Sequence, residues 1–526
     1  MAPDHGMKLA AIDLGSNSFH AVVVEVSASG SFEVIDREKD IVRLGAETLA
    51  SGRLSAAAMK RGLDVLHKYK RIADNHRVDK ILAVATSAIR EAGNGEDFLE
   101  RVGREVGFWP RVASGEEEGR LVYLAALHSV HLEGRALVLD IGGGSVELVL
   151  GAGNRIERIA SERLGTLRMT ERFVRSDPIS SKEEDRLIAH LEETLGPAIE
   201  EIREAGFERL VGTSGTILSV GALALGLEGP RPKEPLHHVA VRREAIREVR
   251  RKLVASDLKE RLRMPGLDAQ RADIVVAGAV VFDEILERLG ASEVLLCEWA
   301  LREGLLLNYI HRHPRSLARA EAYPDVRRRS VQHLAERCQF DEAHARHVAG
   351  LSLQLFDGLK DDHRLPDEAR GLLESAALLH DIGHHISYPG HHKHTYYLVK
   401  HGDLRGFSPL EIEAIALVAR YHRRGHPRKR HAAFGALAKP ARRTVRVLAG
   451  ILRIADALDR SHRQVVKAVW VSDRSGALRL RCEADGNSDL ERWGVTRRTQ
   501  LLAQALGRPV RVEIPPEAVP LRRARA

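Results

Sequence analysis

Cysteine is scarce in this chain. Its 526 residues hold three, Cys297, Cys338 and Cys482, far apart and without a Cys-x-x-Cys spacing. That excludes a disulfide framework and a thiolate zinc site as organising features. Aromatic residues make up only 4% and nowhere interleave with basic ones in the manner of a nucleic-acid module, so no nucleic acid partner is expected. No apolar run approaches the roughly 20 residues that span a bilayer, and no basic flank precedes an apolar stretch at the N-terminus. The expectation is a cytoplasmic protein without membrane contact.

What is present is a globular composition, 44% hydrophobic and 29% charged, in a chain too long for one core, so two to four domains are expected. The net charge of +8 favours anionic partners. Basic residues concentrate in Arg420–Arg430 and in the tail Leu521–Arg525, where a solvated loop and a frayed end are the plain readings.

The most informative feature is a duplication. LAAIDLGSNSFHAVVVEV at 9–26 and ALVLDIGGGSVELVL at 136–150 each write an apolar strand, an Asp, a Gly/Ser turn and a second apolar strand. Each copy sets a carboxylate, Asp13 or Asp140, at a strand end beside amides free to cradle phosphate, while the carboxylate can hold a metal ion. A third turn, Leu210–Thr216, follows in the second half. Alternating strands and helical periodicity over the first 310 residues read as an α/β architecture. Residues 330–462 read as successive amphipathic helices. Short strands at 469–471, 478–481 and 510–514 surround one helix, and a linker is expected around 311–330, near two X-Pro pairs.

The motifs DLGSNSFH (13–20), SGEEEGRL (114–121), DIGGGSVEL (140–148), GTSGT (212–216) and ALREGLL (300–306) together resemble the exopolyphosphatase/guanosine pentaphosphate phosphohydrolase (Ppx/GppA) family. The resemblance implies an α/β fold of two actin-like (ribonuclease H-like) lobes, 1–128 and 129–312. An all-α HD-type domain (313–465) and a small α+β C-terminal region (466–526) would follow. It implies Mg2+-dependent release of orthophosphate from inorganic polyphosphate, and conversion of guanosine pentaphosphate to tetraphosphate, by a homodimer.

Ser114 is the expected N-cap of a helix with Glu117 as its capping-box partner. That leaves Glu118 as the general base, matching the family's position. Asp140, with Asp13 and Glu147, would hold Mg2+. Ser16, Asn17, Ser18, Gly142, Gly143, Gly144, Ser145, Thr213, Ser214, Gly215 and Thr216 would bind phosphate, and Arg90 matches a family arginine at the cleft.

Leu378–Gly383, LLHDIG, resembles the signature of HD-domain metal-dependent phosphohydrolases. His347, His380, His422 and Asp456 fall beside apolar helical positions, and burying such groups unpaired would cost several kcal/mol apiece. A shared metal is the economical partner. The resemblance implies a ligand set of His347, His380, Asp381 and Asp456, with His394 and His422 as further ligands, and imidazole with carboxylate suits Mn2+, Fe or Zn2+. Two other readings stand beside the hydrolase: a polyphosphate or alarmone sensor with vestigial hydrolysis, and a bifunctional enzyme with a second phosphohydrolase site.

Overall fold

The computed structural model describes residues 7–27, 31–46, 48–132, 134–228, 236–312, 325–474 and 476–514. The chain divides into two compact units, Met1–Val326 and Arg327–Ala526. The middle of the expected linker and the whole basic tail lie outside the described residues. The linker's two flanks are helical, in Leu301–Arg312 and Val326–Arg337.

The first unit repeats one topology. Strands β1 (Met7–Leu14), β2 (Ser18–Val26), β3 (Phe32–Ile41), β4 (Lys80–Ala85) and β5 (Arg111–Val112) form a sheet in the order β3-β2-β1-β4-β5. Strands β6 (Arg135–Ile141), β7 (Val146–Ala152), β8 (Arg155–Glu162), β9 (Arg209–Thr213), β10 (Ala240–Arg242) and β11 (Glu293–Leu296) form another in the order β10-β11-β9-β6-β7-β8. In both, a hairpin supplies the Gly/Ser turn and a parallel strand lies on the other side of the Asp-bearing strand. Asp13 registers with His20 and Val84, and Asp140 with Glu147 and Thr213. The duplicated sequence is therefore a duplicated fold.

β6 and β7 are buried almost end to end, as strands covered on both faces must be. Helices Gly115–Ser129 and Leu301–Arg312 supply Leu121, Val122, Ala125, Leu305 and Leu306 to a core that also takes Leu9 and Ala11 from one sheet and Val138 and Val149 from the other. These helices touch backbone to backbone at Gly304, where a Cβ would stand 2.0 Å from the carbonyl oxygen of Leu121. Only glycine permits that approach.

The second unit gathers helices Val326–Arg337, Glu342–Gly358, Glu368–Leu379, His391–His401, Pro409–Arg420 and Lys439–Leu458 around one core. The last of these is its axis, with every residue from Val447 to Leu458 buried. Strands β12 (Val466–Arg474), β13 (Ala477–Ala484) and β14 (Val510–Glu513) form a three-stranded sheet whose Val466, Val469, Leu478 and Leu480 join that same core. Between β13 and β14 the expected single helix is two, Asp489–Thr496 and Gln500–Leu506. The break falls between Thr496 and Thr499, β-branched residues of low helix propensity. Among the described residues no helix is long and apolar enough to cross a membrane.

Candidate active site

A cavity of about 110 Å³ opens between the two turns of the first unit. The turn after β6 is held from behind: the amides of Thr166 and Leu167 donate to the carbonyls of Gly142 and Gly143 at 2.9 Å each. Gly165 makes this contact feasible, since a Cβ there would lie 2.4 Å from the backbone of Gly143 and Gly144. With their carbonyl side fixed, Gly143 and Gly144 make no amide hydrogen bond within the described residues, the arrangement that suits an anion. Across the cavity, Ser16 Oγ bonds Ser87 Oγ at 3.0 Å and accepts from the amide of Ala88 at 3.2 Å.

Asp13, Glu118, Asp140 and Glu147 all line this cavity. Burial raises each above its ordinary value: Asp13 to about 7, with Arg302 opposing and Glu118 and Asp140 adding to the rise; Asp140 to about 6, with a bond from Ser214 opposing. Glu118 rises to about 7 through burial, against the pull of Arg90. Glu147 goes well up, from burial and then repulsion by Glu118 and Asp140, although Ser161 Oγ donates to it at 2.9 Å. Asp13 Oδ1 and both amide atoms of Asn17 are buried without a partner. Four carboxylates lining one cavity, one with an orphaned oxygen, are the donor type a hard divalent cation takes, although no three of them bring ligand oxygens within 4.8 Å of one another.

The three glutamates at the start of helix Gly115–Ser129 separate by rotation. Glu116 pairs with Arg120 on the surface, Glu117 with Arg111 at 2.6 Å, and only Glu118 turns inward. Ser114 Oγ accepts from the amide of Glu117 at 3.1 Å, but the Glu117 carboxylate goes to Arg111, so half of the expected capping box forms. Arg90 is not in the cavity wall. Its guanidinium pairs with Glu118 and donates to the carbonyl of Ala113 at 2.6 Å, and it lines a neighbouring 590 Å³ cavity with Ser145 and Ser161. Thr213 is likewise displaced, its hydroxyl committed to the carbonyl of Trp299 at 2.6 Å, whereas Ser214, Gly215 and Thr216 line the cavity.

In the second unit, His380 and Asp381 meet His391, His422 and Asp456. Asp381 Oδ1 lies 3.2 Å from His391 Nε2 and 3.4 Å from His422 Nε2. Asp456 Oδ1 lies 3.8 Å from His380 Nε2 and 3.9 Å from His344 Nε2. The Nε2 atoms of His344 and His380 are buried without a hydrogen bond, and His391 Nε2 and Asp381 Oδ1, though 3.2 Å apart, are not aligned for one. Their other ring nitrogens are committed: His344 Nδ1 to Asp459 at 2.8 Å, and His380 and His391 Nδ1 to the carbonyls of Ala377 and Tyr388. This fixes each ring with one nitrogen aimed inward, as metal-binding histidines require. Burial pushes His422 down to about 3, so its imidazole is neutral.

Two expected ligands are corrected here. His347 spends its Nε2 on the carbonyl of Val466 at 2.8 Å. The inward position is His344, which begins the buried stripe Val348, Leu351, Ser352, Leu355. His394 belongs to none of the groups that could hold a metal ion among the described residues, whereas His384 and His391 do. His391 shares the buried face of its helix with Thr395 and Val399, four residues apart, and His394 lies off that face.

A model of the Ppx/GppA phosphatase family matches residues 22–313, and a model of Ppx/GppA phosphatase domain III matches residues 326–498. The chain belongs to the Ppx/GppA phosphatase family. The Aquifex aeolicus member of known structure is 32% identical, with 58% of this chain and 98% of that one covered and a TM-score of 0.51. An exopolyphosphatase from Cytophaga hutchinsonii is 28% identical over 58% and 98% of the two chains, with a TM-score of 0.55. Membership makes this chain a phosphoanhydride hydrolase, and its first unit has an α/β fold.

The quoted motifs leave out one basic residue of the cavity wall. Arg271 lines it, 7% exposed and without an ion-pair partner among the described residues. Arg302 Nη1 meets His20 Nδ1 at 2.9 Å, and burial together with Arg302, Lys39 and Arg271 holds His20 well below its usual value. Arg302 stands in the quoted ALREGLL motif, but its sequence gives no sign of which way it faces. Arg271 follows a short polar turn with no periodicity to place it.

Proposed function

We propose that the cleft hydrolyses the terminal phosphoanhydride of inorganic polyphosphate, releasing orthophosphate, with Mg2+ as its cofactor. The observation that carries this reading is Glu118: a buried carboxylate held near neutrality, facing three further carboxylates and a turn with free amides. The free amides of Gly143 and Gly144 receive the terminal phosphate, with Ser16, Ser18 and Ser214–Thr216 around it. Arg271, in the cavity wall, draws the rest of the polyanion, and the charges of Arg302 and Lys39, felt at His20, add to its field. Glu118, in its ionised form, takes the proton of the attacking water, and Arg90 fixes its carboxylate through their ion pair. Asp13, Asp140 and Glu147 would hold Mg2+, which supplies neutralisation of charge on the transferred phosphoryl group. Guanosine pentaphosphate ends in the same linkage and belongs to the same proposal, as does the cytoplasmic homodimer. The test is phosphate release from long-chain polyphosphate and from guanosine pentaphosphate by one purified sample, with and without Mg2+. No release from either substrate in the presence of Mg2+ would refute the reading.

A second reading is favoured by the orphaned Nε2 atoms of the second unit. An HD-type centre of His344, His380, Asp381, His384, His391 and Asp456, with His422 Nε2 3.4 Å from Asp381, binds a transition metal such as Mn2+, Fe or Zn2+, and Asp381 belongs to two of its ligand groups. Elemental analysis of the purified protein tests it.

A further inference from the structure

Residues two apart on a strand share a face. In β2 this brings Ser18 and His20 together, while Phe19 between them is buried in a core with Leu66 and Tyr69. The strand is held at that point, because the Tyr69 hydroxyl donates to the carbonyl of Phe19 at 2.9 Å. Ser18 and His20 both line the cavity. Ser18 Oγ lies 2.8 Å from His20 Nε2, and His20 Nδ1 lies 2.9 Å from Arg302 Nη1. Both ring nitrogens are thus engaged, on opposite sides.

Arg302 is set in place by the start of its own helix. The neighbouring Glu303 is fully buried, and its Oε2 reaches back to accept from the amide of Ala300 at 3.0 Å, one half of a capping box. Its Oε1 stands 3.6 Å from Arg302 Nη2. A guanidinium has only donors. Arg302 therefore donates to His20 Nδ1, which must accept, and the neutral ring carries its one hydrogen on Nε2. That N–H donates to Ser18 Oγ. Ser18 Oγ has no other hydrogen-bond partner among the described residues, so its own hydrogen is left for the occupant of the cavity. With the opposite tautomer the ring would take that hydrogen, and Ser18 would turn lone pairs toward an ionised phosphoryl group, whose oxygens only accept.

We propose that His20 and Arg302 are positioning residues of the cleft: Arg302 fixes the hydrogen of His20 on Nε2, and His20 fixes Ser18 as a hydrogen-bond donor to the phosphoryl oxygens of the bound polyanion. A donor already oriented needs no reorganisation when charge develops beside it. The arrangement joins the DLGSNSFH and ALREGLL motifs across 282 residues. The proposal rests on the polyphosphate reading of the cleft and adds what gives one of its hydroxyls a direction.

The experiment measures phosphate release from long-chain polyphosphate with Mg2+ by the full chain and by S18A, H20L, H20Q and S18A/H20L. S18A should lower kcat/KM by about 10- to 100-fold, the scale of one hydrogen bond to a charged group. H20L should cost a similar factor, and S18A/H20L no more than S18A, because His20 acts through that hydroxyl. H20Q keeps a carbonyl for Arg302 and an N–H for Ser18, and should recover most of the loss. Histidine 15N spectra of wild type, with the His20 signal assigned by its absence from H20Q, should place the ring hydrogen on Nε2. Losses that multiply in S18A/H20L, S18A at the wild-type rate, H20Q as slow as H20L, or a hydrogen on Nδ1 would each overturn the proposal and leave the cleft reading standing. No phosphate release by wild type overturns the cleft reading, and this proposal with it.

Discussion

The cleft of the first unit and the His/Asp centre of the second both gather buried polar groups, of different donor chemistry. The cleft offers only oxygen: four carboxylates, all raised by burial. The other centre offers imidazoles with one nitrogen anchored and the other left bare. Hard oxygen donors suit Mg2+ and imidazole suits later metals, so the two sites are expected to load and fail independently. The difference also lies in construction. The cleft is made by strand ends and turns with the first turn of one helix. The other centre is made by His344, His391 and Asp456 on helices, whose facing is decided by a 100° step, and by His380, Asp381 and His422 just past helix ends.

The strongest way to separate the two is to disable each alone. E118Q should lower polyphosphate turnover by about 10²-fold or more, the scale of a lost general base, while leaving substrate binding and the metal content of the second unit unchanged. Steady-state kinetics and elemental analysis check this, and near wild-type turnover in E118Q would remove Glu118 from the mechanism. Conversely, H380A/D381A should lose the transition metal and retain polyphosphatase activity.

A sharper cut lies within the second centre. H344A should lose the metal that H347A retains, because His344 Nε2 is bare and faces Asp456 whereas His347 is spent on Val466. Equal metal loss in both variants would return the ligand to the position that the family pattern implies. These two residues show what the sequence could carry. Both lie within one turn of the same helix beside apolar neighbours, so periodicity brings the site to that turn but not to the residue. The choice between His391 and His394 is of the same kind. The cleft was far more legible, because Asp-Gly/Ser turns between apolar strands have few other uses and occur twice. What stayed hidden there was long-range: Arg271 reaches the cavity, and Arg90 is captured by Glu118, through contacts that no local pattern encodes.

The two sites should also respond differently to pH. Asp13, Glu118 and Asp140 titrate near 7, 7 and 6 in the folded protein, against about 4 in an unfolded chain. The metal-free native state therefore holds more protons than the unfolded state between about pH 4 and 7, so stability is lost as pH rises through that window. Mg2+ can take the place of those protons, and the loss should shrink when it is added. Buried histidines such as His422 and His20, held low in the folded protein, act in the opposite sense below about pH 6.5. The sign is therefore checked by the difference between wild-type and D140N melting temperatures from pH 5 to 8, with and without Mg2+. A metal-free D140N whose pH dependence equals that of wild type would contradict the buried-carboxylate account. D140N should blunt the effect and raise the Mg2+ concentration needed for activity.

The smallest expected effect comes from the residue next to the largest. Glu117 and Glu118 are one helical step apart, yet Glu117 faces outward to Arg111, with side chains 36% and 45% exposed. An exposed pair of this kind is worth roughly 0.2–1 kcal/mol, and the helix keeps its Ser114 cap, which uses the Glu117 amide and not its carboxylate. E117Q should therefore lower the melting temperature by no more than about 2–4 °C and leave turnover and the Mg2+ requirement unchanged. If E117Q instead lost activity as E118Q does, the two carboxylates would have to exchange places. The helix would then need to turn by about 100°, tearing Leu121, Val122 and Ala125 out of the core they share with Leu305 and Leu306. That packing is what selects Glu118 from three consecutive glutamates.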